Sequence, residues 1–427
     1  MFLMHETDPQ NSIFSKAQTR QICKIRLPGF FAIFAGAKMP FHRLSIFTFP
    51  TLHLLFLILF GVFAGSVAVS VFYNLYFFRR LIAHGNSMFP KAQTPRSDWP
   101  GVSVVVCAHN ERANLKKLVP ALLQQDYPHF EIVLVDDRSD DGGHDFLVSQ
   151  SLAHPQLTLV RIDETPGHVA AKKHALTLGI GAASYEILLL TDADCLPQSR
   201  HWIAGMAAHV GTQKQLVLGY SPYRFRGGLL NFLIRHETFY TAVQYMSFAV
   251  AGLPYMGVGR NLCYRKSLFV ENGGFSSHLS TVGGDDDLFV GEVATRHNTA
   301  ICLEKPTFMV SEPKETWRAW LHQKRRHLAA GKKYRLRHQY LLGVLSFSQI
   351  LFWLAGAILL ANLAFMPLVL AGFLVRMSLQ TFILRKISGR FNHRAHWLEW
   401  CAFDLLYTLY YVPVGVWALF TKRVSWK

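Results

Sequence analysis

The chain is 427 residues long, 51% hydrophobic and only 17% charged, with a formal charge of +17 and Phe at 33 positions. That length holds one large domain or two modest ones, and the composition is too apolar for a purely soluble protein. The charge suits anionic lipid or a phosphate-bearing substrate; nucleic acid is the poorest fit, because many basic residues flank apolar runs.

Residues 1–51 form a basic tail (Lys16, Arg20, Lys24, Arg26, Lys38, Arg43) without a predicted element. Residues 52–78 contain no charged residue, and Arg79 and Arg80 close the run. It meets the ~20-residue requirement for a transmembrane helix. Residues 341–375 again lack charge, too long for one untilted crossing, so residues 341–384 are predicted as two transmembrane helices meeting near 362–367. Residues 402–420 are a transmembrane or interfacial helix, weakened as a crossing by Asp404. Lys and Arg cluster before 341 and after 384, which by the positive-inside rule makes the protein integral to the plasma or inner membrane with its middle in the cytoplasm. A single N-terminal crossing would then place the basic tail outside. That conflict motivates the expectation that Met39 is the natural start.

Residues 101–338 read as an α/β domain. Residues 102–107, 131–135, 157–162 and 186–190 are short Val, Ile and Leu runs, the mark of strands buried on both faces. Between the first two, Leu115, Leu118, Val119 and Leu122 fall at helical spacing, with Asn110 as the expected N-cap. The alternation predicts a parallel sheet with ligands beyond the carboxyl ends of its strands. Six scattered cysteines with no CxxC pair argue against a zinc site or a disulfide framework and fit a reducing compartment.

The acidic residues fall where such a sheet binds ligands. Asp136-Asp137 ends one strand and is either a nucleoside site or an Asx-type turn. Lys172 and Lys173 open a helical stretch and either offset phosphate charge or form a solvated face. Asp192-Ala193-Asp194 directly follows a buried strand. Two carboxylates so spaced suit Mg²⁺ or Mn²⁺ on a diphosphate, or a plain polar turn. Asp285-Asp286-Asp287 precedes apolar Leu288, Phe289 and Val290, which suits a helix N-terminus and a general base, or simple capping.

Together with residues 102–111, Thr191-Asp192-Ala193-Asp194, Gly284-Asp285-Asp286-Asp287-Leu288 and Gln323-Lys324-Arg325-Arg326-His327, these segments resemble the family 2 glycosyltransferases. Those are inverting enzymes of the GT-A fold, related to cellulose, chitin and hyaluronan synthases. The resemblance implies nucleoside binding by Asp136, Asp137 and Asp192 with Lys173, a metal on Asp194 with Asp192, and a base at Asp285 or Asp286. Gln323, Arg325 and Arg326 would hold the diphosphate and the acceptor end, and residues 257–266 look like the acceptor-side segment. The expected reaction moves a sugar from a nucleotide-sugar donor, UDP-linked in this reading, to a hydroxyl of a lipid-linked or cell-envelope glycan beside membrane lipids. His327 replaces the Trp of the family's last motif, which weakens the rival of a processive polysaccharide synthase. Trp317 and Trp320 upstream either substitute for it or anchor at the membrane surface. A catalytically silent nucleotide-sensing scaffold is the rival from another class. A transporter is disfavoured because the acids lie outside the apolar runs.

Overall fold

A computed structural model describes residues 49–85 and 98–420. The basic tail through residue 48, and with it the Met39 expectation, lies outside the described residues. Phe49–Leu54 begin the first helix, and all that follows concerns the compact unit Leu55–Lys427.

Helix α1 (Phe49–Phe72) continues through a π-helical segment (Tyr73–Phe78) into α2 (Arg79–Ala83). The sheet region then runs β1 (Val102–Ala108), α3 (Arg112–Leu123), β2 (Phe130–Asp137), α4 (Gly143–Ala153), β3 (Leu157–Ile162), α5 (Ala171–Ala182), β4 (Ile187–Asp192), β5 (Cys195–Pro197), α6 (Trp202–Ala207) and β6 (Leu216–Leu218). It continues with α7 (Leu229–Val250), β7 (Leu262–Arg265), α8 (Lys266–Glu271), α9 (Asp287–Val293), β8 (Thr299–Ile301), β9 (Met309–Ser311) and α10 (Trp317–Gly331). Helices α11 (Leu336–Leu360), α12 (Met366–Ser388) and α13 (Trp397–Phe420) follow.

Seven strands form one sheet in the order β3-β2-β1-β4-β7-β6-β8. The β3-β2-β1-β4 half is parallel, in line with the sequence pattern. The expectation of a wholly parallel sheet is corrected beyond β4: β7 pairs antiparallel with both β4 and β6. The edge pair β6 and β8 is parallel again, and these last strands are only three or four residues long, too short to show a period.

Strand side chains alternate between two cores, as the two-residue repeat requires. Val102, Val104 and Val106 meet Leu115, Leu118 and Leu122 of α3. Val105, Val133 and Val135 meet Ala175, Leu176 and Ile180 of α5 on the other face. Gly179 lets α5 approach closely, since a Cβ there would lie 2.7 Å from Val135 Cγ2.

Three helices are long and apolar enough to cross a membrane: Leu52–Ala83, Leu336–Leu360 and Met366–Ser388. Phe63 stacks on Phe352 at 5.3 Å between centroids, and Phe77 on Phe248 at 4.3 Å. These aromatic contacts tie α1 to α11, and the π segment to α7 beneath the sheet. Asp404, which weakened α13 as a crossing, is buried against Arg376 of α12.

Candidate active site

The parallel strand ends set the first carboxylates. In register, Cys107 of β1 lies beside Asp192 of β4 and Ala108 beside Asp136 of β2. Beyond them the loop before α9 brings in Asp285. Gly283 and Gly284 at φ +79° and +76° make that loop turn, a conformation open to glycine without steric cost. Asp286 then caps α9 by accepting from the Asp287 N–H at 2.8 Å.

Lys172 joins the two acidic segments. Its Nζ donates to Asp285 Oδ2 at 2.8 Å and to Asp192 Oδ1 at 3.0 Å. Burial opposes the ammonium charge, but Asp192, Asp285 and Asp286 outweigh it and hold the pKa well above the usual lysine value. Burial likewise raises Asp285, yet Lys172 prevails and its carboxyl sits below the ordinary range. Asp286 is raised by burial and by Asp285; its Oδ2 accepts from the Gly259 N–H at 2.7 Å. Asp287, raised to about 7 by burial and by Asp286, accepts from the Tyr334 hydroxyl at 2.7 Å. Asp194 is half-buried and raised by burial and by Asp192; the Cys195 thiol faces its Oδ1 at 3.5 Å.

Two cavities meet at this point. The first, of about 640 Å³, is lined by Asp285, Asp286 and Asp287 and extends to Ser346 of α11 and Tyr411 of α13. The second, of about 660 Å³, is lined by Asp194, His109, Lys314 and Arg325. Lys172, Asp192, Tyr223, Arg260, Gln323 and Arg326 line both and so form the wall between them.

Gln323, Arg325 and Arg326 thus gather at the site, all carried by α10. Gln323 Nε2 donates to the Tyr223 hydroxyl at 3.2 Å, and Arg325 lies over the Trp417 ring at 3.9 Å. Of the acceptor-side segment, Arg260 stacks on Tyr223 at 4.5 Å. Trp320 is buried on Tyr410 of α13 and lines the first cavity, while Trp317 is exposed beside it. His327 also lines the first cavity.

Other candidates stand apart. Asp136 is buried and engaged by His144 Nδ1 at 2.9 Å, and Asp137 accepts from Arg138 Nε at 2.8 Å; neither lines either cavity. Lys173 lines the first cavity, but its ammonium is spent on the fold, with Nζ donating to the His278 carbonyl at 2.6 Å. Burial lowers it to about 8. Asn110 is not the N-cap of α3: it adopts φ +56° and its Oδ1 accepts from the Asp140 N–H, while Asp141 accepts from the Arg112 N–H at the helix start.

Sequence reasoning gave Lys172 no role apart from its neighbour, although a signal existed. Lys173, Leu176 and Ile180 share the buried stripe of α5 at helical spacing, which turns Lys172 toward the strand ends. Tyr223, before α7, and Glu237 of α7, which lines the first cavity and pairs with Lys324 at 2.6 Å, were not singled out, because neither belongs to a motif.

Comparison with known proteins fits this geometry. The chain is 30% identical over 197 residues to Glycosyltransferase AglE of Haloferax volcanii, covering 44% of this chain and 60% of that one. It is 26% identical over 259 residues to Probable glycosyltransferase YdaM of Bacillus subtilis, covering 57% and 58%. The chain therefore spans about three-fifths of the length of these curated relatives. Among solved structures, mannosyltransferase PcManGT from Pyrobaculum calidifontis, in complex with GDP-Man and Mn²⁺, superposes with a TM-score of 0.55 at 20% identity. That match covers 83% of this chain and 99% of that one and shows the GT-A fold. The motifs resemble family 2, but the model that matches, over residues 62–427, is that of another GT-A-type family: the chain is a glycosyltransferase and belongs to glycosyl transferase family 21.

Proposed function

We propose that this enzyme is a membrane-anchored inverting glycosyltransferase. It moves a sugar from a nucleoside diphosphate to a hydroxyl of a lipid-linked or cell-envelope acceptor, with the sheet region in the cytoplasm. The observation that carries the reading is the pair of cavities sharing one charged wall, with Asp194 on one side and Asp285 on the other.

The second cavity suits the donor. Arg325 and Arg326 offer bidentate donors to a diphosphate. Asp192 and Asp194 form an all-oxygen pair in which burial and the Asp192 charge raise Asp194, and this fits a hard divalent cation such as Mg²⁺ or Mn²⁺. A cation held there supplies positive charge to the departing diphosphate. The first cavity suits the acceptor, because its wall runs on to α11 and α13, where a lipid-borne hydroxyl arrives from the membrane side.

Asp285 is the better base. Both oxygens of Asp286 accept backbone N–H groups, whereas Asp285 is kept ionised by Lys172 on the wall between the cavities. The acceptor oxygen attacks the anomeric carbon and passes its proton to Asp285. The bond from that carbon to the phosphate oxygen breaks, and its electron pair leaves on the diphosphate. Attack from the face opposite the leaving group inverts the centre.

The test is binding of UDP and of GDP to detergent-solubilised protein with and without Mn²⁺, beside Asp194→Ala. Metal-dependent binding of one nucleotide, lost in the variant, is expected. Failure of both nucleotides to bind well-folded protein overturns the donor assignment.

A further inference from the structure

At the β8 edge of the sheet, away from both cavities, three donor atoms converge. His209, just past α6, places Nε2 3.6 Å from Glu304 Oε2. Cys302, directly after β8, places Sγ 2.9 Å from the same oxygen. The three ligand atoms all lie within 4.8 Å of one another. The His209 and Glu304 side chains are 4% and 10% exposed, and Cys302 is fully buried.

The histidine's other nitrogen decides how the group reads. His209 Nδ1 lies 2.8 Å from the Gly205 carbonyl oxygen. A carbonyl only accepts, so Nδ1 carries the proton, and in the neutral ring Nε2 turns its lone pair toward the carboxylate and the sulfur. The Cys302 thiol donates to the same carboxylate oxygen, which also accepts the Leu303 N–H at 3.1 Å. Once that thiol proton leaves, nitrogen, sulfur and oxygen stand close enough together to bond one dication. A histidine that gives its second N–H to a backbone carbonyl is also how metal-bound imidazoles are oriented.

We propose that His209, Cys302 and Glu304 form a structural zinc site, separate from the Asp192–Asp194 pair. Imidazole, thiolate and carboxylate together select Zn²⁺, whereas Mg²⁺ and Mn²⁺ favour all-oxygen sets. Binding forms the zinc–sulfur bond and releases the Cys302 thiol proton to solvent; no electron is transferred. The fourth position falls to water or to His84 at the end of α2, whose ring lies within electrostatic reach of Glu304 and His209. Arg390 also acts on Glu304, and two anionic ligands leave a dication tolerable beside that charge. The metal fastens the exit of β8 to the end of α6. No spacing motif shows this, because the cysteine has no cysteine partner and His209 lies far along the chain from Cys302 and Glu304.

The test is elemental analysis of the full chain purified in detergent without chelator. About one zinc per chain is expected, falling to background in Cys302→Ser and His209→Gln and unchanged in Asp194→Ala. Should the variants fail to fold, wild-type protein stripped and reloaded with Co²⁺ is expected to show a thiolate-to-cobalt charge-transfer band. Background zinc in folded wild type together with no such band overturns the site. So does zinc that persists in both folded ligand variants.

Discussion

Lys172 donates to Asp285 at 2.8 Å and so binds the loop before α9 to the end of β4, where its second partner is Asp192. One ammonium thereby serves both sides of the wall between the cavities. Replacing it leaves the buried Asp285 and the half-buried Asp192 without the cation that joins them. Lys172→Met is expected to lower kcat on the order of 10²-fold, the scale for loss of a preorganised charged donor. Lys172→Arg restores part of it. Steady-state kinetics check this, with circular dichroism to confirm the fold.

Asp285 and Asp286 are separable by what their oxygens do. Asp285→Asn removes the proton acceptor of the first cavity and is expected to cut turnover by about 10²–10⁴-fold. Nucleotide binding in the other cavity should remain near wild type. Asp286→Asn keeps an oxygen for one backbone N–H but places its amide against the other, so its main effect is on thermal stability. Measuring kcat, nucleotide affinity and melting temperature for both variants distinguishes the two roles; equal loss of turnover with equal stability contradicts it.

Much of this site was legible because parallel strands buried on both faces are written as unbroken apolar runs. Val102–Ala108 and Ile187–Asp192 announce themselves, and the acids at their ends follow from the fold's geometry. The mixed half beyond β4 was not legible: β6, β7 and β8 are too short to carry a pattern. Nor does a strand-end position say which way a carboxylate points. Asp136 and Asp137 satisfy that positional rule, yet they spend their oxygens on His144, Ser139 and Arg138. Asp404 was read only as a flaw in an apolar helix, because its partner Arg376 lies on another helix.

Stability should depend on pH through Asp287. Its folded value is raised to about 7 by burial and by Asp286, so the folded state holds this proton more tightly than the unfolded chain. The resulting stabilisation is fully present below the ordinary carboxylate value and is lost as pH rises through about 7. Asp194 and Asp286 are raised too and slope the same way, whereas lowered Asp285 adds stability that is lost only on further acidification. This contribution by itself lowers the melting temperature in detergent from pH ~4 to ~7, against the opposite slope of His236, His327 and His393, whose values burial lowers. Asp287→Asn, which is neutral throughout, should flatten part of that slope; an unchanged slope refutes the assignment.

The apolar helices are held by a buried pair whose members serve only each other and their neighbours. Arg376 Nη1 and Nη2 reach the two oxygens of Asp404 at 2.8 and 2.9 Å. Gln349 and Gln380 donate to Oδ1 and Trp353 to Oδ2. Arg376 also lies over the Phe352 ring at 4.1 Å. Asp404→Ala strands a buried guanidinium, which costs about 3–5 kcal/mol, and should sharply lower the melting temperature of the solubilised protein. Joint replacement, Arg376→Met with Asp404→Leu, removes both charges and should recover most of the loss. Recovery assigns the pair to helix assembly. Should the double variant be stable but inactive, the pair instead has a part in turnover, through the cavity that α11 and α13 help to line.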